Sequence, residues 1–167
     1  MPDQITIQSE LLKPLETVVI SAVPAPFVIR DYFKKNTTVK FATVWAEFKT
    51  RFFDKTEGPM PEATYQKYKL LHISPDGPII AALGGEAKIE GSFIAASELL
   101  KRQPNGGTGC LQTNGYANIF YVRDKAGALC AIRIGWADNG WVIDAISVQD
   151  PLAWNGQHEI FCPISGC

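Results

Sequence analysis

From Ala117 to Val148 the chain reads "ANIFYVRDKAGALCAIRIGWADNGWVIDAISV", three apolar runs separated by two turns. No other stretch limits the fold as strongly. "RDKAG" puts Gly127 where a left-handed turn position is wanted. Asp138-Asn139-Gly140 is a hairpin signal, because a two-residue type I′ loop wants positive φ at both centres. The three runs are therefore expected as consecutive antiparallel strands. "HEIFCP" follows as a fourth, after the loop "QDPLAWNGQ".

Taking Asn139-Gly140 as the loop sets a register. Trp136 then pairs with Ile143, Ile134 with Ala145 and Ile132 with Ser147, with Trp141 on the same side. This face is apolar and should meet helices. The opposite face carries Arg133 and Asp144 as diagonal neighbours. A slip of one residue would exchange the faces.

The remaining elements are read from period and punctuation. "EGSFIAASELLKRQPNGG" is the clearest helix. Ser92 can cap it, Phe93, Ala96, Leu99 and Leu100 form its apolar face, and Lys101 and Arg102 suit its C-terminal dipole. Pro104 and Gly106 stop it. "IIAALGG" gives a short helix after the turn "SPDGP". In "TTVKFATVWAEFKTRFFDK", alternation predicts a strand to about Val44, and the spacing of Trp45, Phe48 and Phe52 a helix to about Phe53. Val18 to Val23 reads as a strand interrupted by Pro24 and Pro26, with "PFVIRDYF" resuming as a second strand. "KTEGPMPEATYQ" is a loop and "KYKLLHIS" a strand. The expected fold is α+β: an antiparallel β-meander, mainly from the C-terminal half, packed against two or three helices. The 167 residues suit a single globular domain spanning 1–167.

Composition excludes several classes. With 46% hydrophobic and 20% charged residues the chain is not of the disordered type. A net charge of −1 gives no global attraction to nucleic acid or acidic lipid. The charge is uneven: Lys34 to Lys69 holds eight Lys/Arg against four Asp/Glu, and Ala126 to Cys167 one Arg against four. "MPDQITIQSELLKP" has neither the basic nor the apolar part of a secretory signal, and no apolar run is long enough to span a bilayer. A cytoplasmic chain without a membrane partner is expected.

Cys110, Cys130, Cys162 and Cys167 are scattered, and "CPISGC" is the only close pair, so neither a disulfide framework nor a zinc site is expected. No metal or other cofactor is called for. Cys110 follows the glycine loop "PNGGTG" and raises the question of a nucleophile. A thiolate needs a nearby His or a helix N-terminus. His158 could serve as the base, oriented by Glu159, Asp144 or Asn155, in a small cysteine-dependent hydrolase or transferase. The loop leads from a helix to a strand, however, so it offers no helix dipole. For the same reason "PNGGTG" and "ALGGE" lack the phosphate-loop pattern.

Cations and rings interleave at Lys34, Lys35, Lys40, Phe41, Trp45, Lys49, Arg51, Phe52 and Lys55, as in proteins that stack on nucleic acid. The overall acidity favours a plain amphipathic segment instead. Carboxylate pairs such as Glu86/Glu90 and Asp138/Asp144 have no spacing that asks for acid–base work. Trp136, Trp141 and Trp154 cluster near the hairpin, and Trp154 in its polar loop is expected to be exposed. The leading expectation is a non-enzymatic binding module. It would hold a protein or small-molecule partner at the open end of a curved sheet, around Trp154, Trp141, Arg133 and Asp144.

Overall fold

In the computed structural model, which describes residues 10–164, Asn118 to Val122 are all buried. Alternate side chains of a strand point to opposite sides of its sheet. A strand buried throughout therefore needs cover on both faces, and this need organises the fold.

The elements run β1 (Leu12–Ile20), β2 (Phe27–Val28), α1 (Ile29–Lys35), β3 (Phe41–Val44), α2 (Ala46–Phe52) and β4 (Thr56–Glu57). They continue with β5 (Ala63–Leu70), β6 (Ser74–Pro75), α3 (Asp76–Ala82), α4 (Glu86–Ile89) and α5 (Phe93–Arg102). The last are β7 (Asn118–Arg123), β8 (Leu129–Trp136), β9 (Trp141–Ser147), β10 (Ala153–Trp154) and β11 (Glu159–Pro163). Seven strands form one sheet in the order β1-β5-β11-β7-β8-β9-β3, and β10-β6 and β2-β4 form two small ladders.

The fold is α+β, and β7, β8 and β9 form the expected antiparallel meander. The main sheet is mixed, however. β11 does not extend the meander but crosses back between β5 and β7, parallel to β7. β3 lies parallel to β9 at the edge. The N-terminal half thus supplies β1, β3 and β5.

Helices cover both faces. On one side Phe48 and Phe52 of α2 and Phe93, Leu99 and Leu100 of α5 pack on Phe120, Ile132, Trp141 and Phe161. On the other, Ile79 and Ile80 of α3 and Ile89 of α4 pack on Ile119, Tyr121, Ala131 and Ile160. Among the described residues no helix is long and apolar enough to cross a membrane.

Several local expectations meet the structure directly. β3 ends at Val44 and α2 follows, as the change of period predicts. Ser92 caps α5, its hydroxyl accepting the Ala95 N–H at 3.4 Å. Glu57 adds a cap that the sequence did not suggest: its carboxylate accepts the Phe93 and Ile94 N–H groups at 3.2 and 3.1 Å. A negative charge at a helix N-terminus is favoured by the dipole and fills orphan donors.

Three expectations are corrected. "KTEGPMPEATYQ" is not all loop, because Thr56–Glu57 form β4 and Ala63 to Gln66 open β5. "PFVIRDYF" is mostly helix: Ile29, Tyr32 and Phe33 share one face at helical spacing and enter the core beside α2. The β8–β9 pairing is shifted by two, with Trp136 opposite Trp141, Ile134 opposite Ile143 and Arg133 opposite Asp144. Asp138-Asn139 is the tight loop, with Asp138 at φ 53° and the Ala137 N–H donating to Gly140 O at 3.0 Å. A shift of two keeps each residue on its expected face. Gly140 is needed for another reason: its φ is +152°, and a Cβ there would stand 2.5 Å from the Ala42 nitrogen of β3.

Candidate functional site

The second helical layer does not reach the whole sheet. α3, α4 and Trp154 cover the middle of β7 and β11. Toward the β8–β9 turn the same face bears Arg133, Gly135, Val142 and Asp144. There a hollow of about 180 Å³ opens, bordered by Ala117, Arg133, Gly135, Val142 and His158. A Cβ added to Gly135 would meet nothing within 4 Å, so the missing side chain contributes directly to this space.

The polar groups of the hollow are defined. Arg133 Nη2 lies 3.5 Å from Asp144 Oδ2, with the Arg133 side chain 41% and the Asp144 side chain 19% exposed. The Ala117 N–H donates to His158 Nδ1 at 2.8 Å. A neutral ring held in this way carries its proton on Nε2, a hydrogen-bond donor. Burial pushes the His158 pKa below its ordinary 6.5, and the Arg133 charge pushes the same way. Tyr116 and Trp154 each present an edge-to-face contact to the imidazole, with centroids 5.7 Å apart in both cases. β11 brings His158 here by crossing back beside β7, a placement invisible to local sequence patterns.

Of the four expected binding residues, Arg133 and Asp144 lie on this face, and both tryptophans are interior. Trp154 is only 3% exposed. Its Nε1 donates to Asp76 Oδ1 at 2.8 Å, and Tyr121 OH donates to the same oxygen at 2.6 Å. The "polar" loop is folded inward because Asp76, itself 1% exposed, supplies the acceptor that a buried indole needs. Among the described residues Asp76 Oδ2 has no hydrogen-bond partner, and burial raises the pKa of this carboxyl. Trp141 is fully buried and donates from Nε1 to Gln103 O at 2.8 Å.

Cys110 and His158 do not form a dyad. Cys110 packs against the cluster on the α5 side, whereas His158 contacts Trp154 of the opposite cluster. Lys67, not a histidine, sits beside Cys110. Its Nζ donates to Cys110 O at 2.8 Å and pairs with Glu16 at 3.1 Å and Glu159 at 3.0 Å. Burial pushes the Cys110 thiol up despite the opposing Lys67 charge. Among the described residues no hydrogen bond joins Glu159, Asp144 or Asn155 to the imidazole; Glu159 is held by Lys67 and Asp144 by Arg133.

The glycine loop is fixed rather than loose. Gln103 donates to Gly107 O and Leu111 O at 2.7 and 2.9 Å and accepts the Leu111 N–H at 2.8 Å. A Cβ at Gly109 would fall 2.5 Å from the Gln103 side chain, so glycine permits this wrap. Cys130 and Cys162 are buried free thiols with pKa values raised to about 11. Cys167, and with it the "CPISGC" pair, lies outside the described residues. Among those residues no group of three or more His, Cys, Asp or Glu is placed to hold a metal ion.

The basic-aromatic segment divides. Arg51 is held by Asp124 at 2.9 Å and Lys55 by Glu57 at 2.9 Å, and Phe52 is core. Lys34 and Lys49 instead border a groove of about 600 Å³ beside β3. Glu86 and Glu90 together hold Arg123 at 3.1 and 2.9 Å, a structural clamp. Comparison with family models, curated proteins and solved structures gave no match for this chain.

Proposed function

We propose that this chain is a non-enzymatic binding module whose ligand seats in the hollow between Arg133 and His158 and carries a carboxylate. One observation carries the reading. A guanidinium and a neutral imidazole border space left open by Gly135, on a part of the sheet that the helices do not cover. Both groups are donors, so the complementary ligand is an acceptor, and a carboxylate matches guanidinium geometry. The Asp144 contact, at 3.5 Å, is long enough for an incoming carboxylate to compete for Arg133.

The volume suits a small acid or the acidic end of a larger molecule. It equals roughly six waters at their liquid share of about 30 Å³ each. The separation of Cys110 from His158 supports a non-catalytic reading over a thiol hydrolase. Among the described residues the three cysteines are free thiols, which agrees with a reducing, cytoplasmic setting.

The test is an NMR titration of the ¹⁵N-labelled protein with small carboxylic acids and their amides. The reading expects the acids, not the amides, to shift Ala117, Arg133 and Gly135, and expects Arg133→Gln to weaken binding at least tenfold. Equal binding of acids and amides, or an unchanged affinity in Arg133→Gln, overturns it.

A further inference from the structure

Among the described residues β3 is the last strand of the main sheet and pairs only with β9. An edge of this kind offers a row of backbone donors and acceptors to another chain. Proteins commonly blunt such edges with a bulge, a charge or a covering element. β3 has a register irregularity between Phe41 and Thr43 on its paired side, but its outer side opens into the groove of about 600 Å³. Arg30 and Lys34 of α1 and Lys49 of α2 stand around that groove, and Phe33, Phe41 and Phe53 supply its apolar part.

The charges are not balanced locally. Arg30 is paired with Asp54. Lys34 and Lys49 take part in no ion pair or side-chain hydrogen bond among the described residues. The surroundings of β3 therefore carry uncompensated positive charge above an apolar floor.

The rings argue about the kind of partner. Phe33 is already packed against Phe41, Phe48, Phe53 and Phe93 at centroid distances of 5.0 to 5.7 Å. The Phe33 faces used in this way are not free platforms for stacked bases; among the described residues Trp45 is the exposed ring of the basic segment, and it does not line this groove. An unpaired strand edge, by contrast, serves a polypeptide and not a nucleic acid.

We infer that the edge of β3 docks an extended acidic segment of a partner protein, which adds an eighth strand beside β3. Backbone hydrogen bonds to β3 give the affinity, and acidic side chains facing Lys34 and Lys49 give the selectivity. This inference is independent of the ligand in the Arg133 hollow.

The probe is a fluorescent, end-blocked heptapeptide in which Glu, Leu and Glu alternate with Thr, read by anisotropy against the full chain. Binding is expected, weakened at least tenfold by Lys34→Glu with Lys49→Glu, weakened by salt, and abolished when alternate peptide nitrogens are methylated. Methylation alters only the probe, so this arm does not depend on a variant folding. Three results overturn the inference: no binding, undiminished binding of the methylated peptide, or tighter binding of an oligothymidylate of equal charge. The last would assign the groove to nucleic acid.

Discussion

Arg133 and Asp144 stand directly opposite each other on the uncovered end of the sheet, with Nη2 and Oδ2 3.5 Å apart. The pair is solvent-facing on the Arg133 side, so water and salt screen it. Its contribution to stability is at most about 1 kcal/mol. Asp144→Asn is therefore expected to shift the urea midpoint only slightly. By removing the internal competitor for the guanidinium, it is also expected to tighten carboxylate binding several-fold. Paired urea melts and titrations check both. A loss of binding in Asp144→Asn would mean that the ion pair builds the site rather than competes for it.

Gly140 gives a sharper effect. A methyl group there meets the Ala42 backbone at 2.5 Å, and the residue already sits at φ +152°. Backbone cannot swing aside as a flexible side chain can. Gly140→Ala is expected to cost about 2–4 kcal/mol and to loosen β3 from β9. Chemical denaturation measures the first, and hydrogen exchange of Trp45, whose N–H donates to Ile143 O at 2.9 Å, the second. An unchanged melt would mean that β3 does not approach the turn so closely.

That residue also illustrates what the sequence conveys. Asn139-Gly140 announced a hairpin and its two faces, because turn chemistry and alternation are local. It did not announce that the glycine makes room for β3, since β3 lies about a hundred residues earlier and the contact belongs to the assembled sheet. The α5 helix was legible for the same local reasons, down to its Ser92 cap. The return of β11 beside β7 was not, and with it went the meeting of His158 with Arg133. Trp154 reads as exposed because its loop is polar, whereas its acceptor, Asp76, comes from a distant helix. "PFVIRDYF" reads as strand because Ile29, Tyr32 and Phe33 supply too short a run to separate the helical period from the strand period.

Asp76 makes stability depend on pH in a definite sense. Its folded pKa is raised above the ordinary 3.8 by burial, so the folded state holds the proton more tightly than the unfolded state. The resulting contribution is full below the unfolded value and is lost as pH rises through the folded pKa. Asp76→Asn keeps an acceptor for Tyr121 and Trp154 and does not titrate. The stability of Asp76→Asn relative to the parent is expected to rise between about pH 3 and about pH 7. Asp76→Ala strands two buried donors and is expected to cost about 2–4 kcal/mol. Urea melts across pH check both; a constant difference between parent and Asn variant would contradict the first.

Cys110 should behave as an inert thiol. Burial raises its pKa, and its neighbour is Lys67 rather than a base. Alkylation near pH 7, followed by mass spectrometry, is expected to be at least ~10-fold slower in the native protein than in the unfolded chain. It is also expected to be unchanged by His158→Ala. Fast native labelling that depends on His158 would reinstate the thiol chemistry.

If the open space at Gly135 holds the ligand, filling that space must displace it. Gly135 lies on β8 within an ordinary strand, its added Cβ meets nothing within 4 Å, and valine favours strands. Gly135→Val should therefore fold as stably as the parent or slightly more so. The measurement is the affinity, by NMR titration, of the best-binding small carboxylate for the parent and for Gly135→Val. Binding is expected to fall at least tenfold while Gly135→Val melts no earlier than the parent. Equal affinity in a stably folded Gly135→Val would contradict this, and the hollow would then be a surface feature without a ligand.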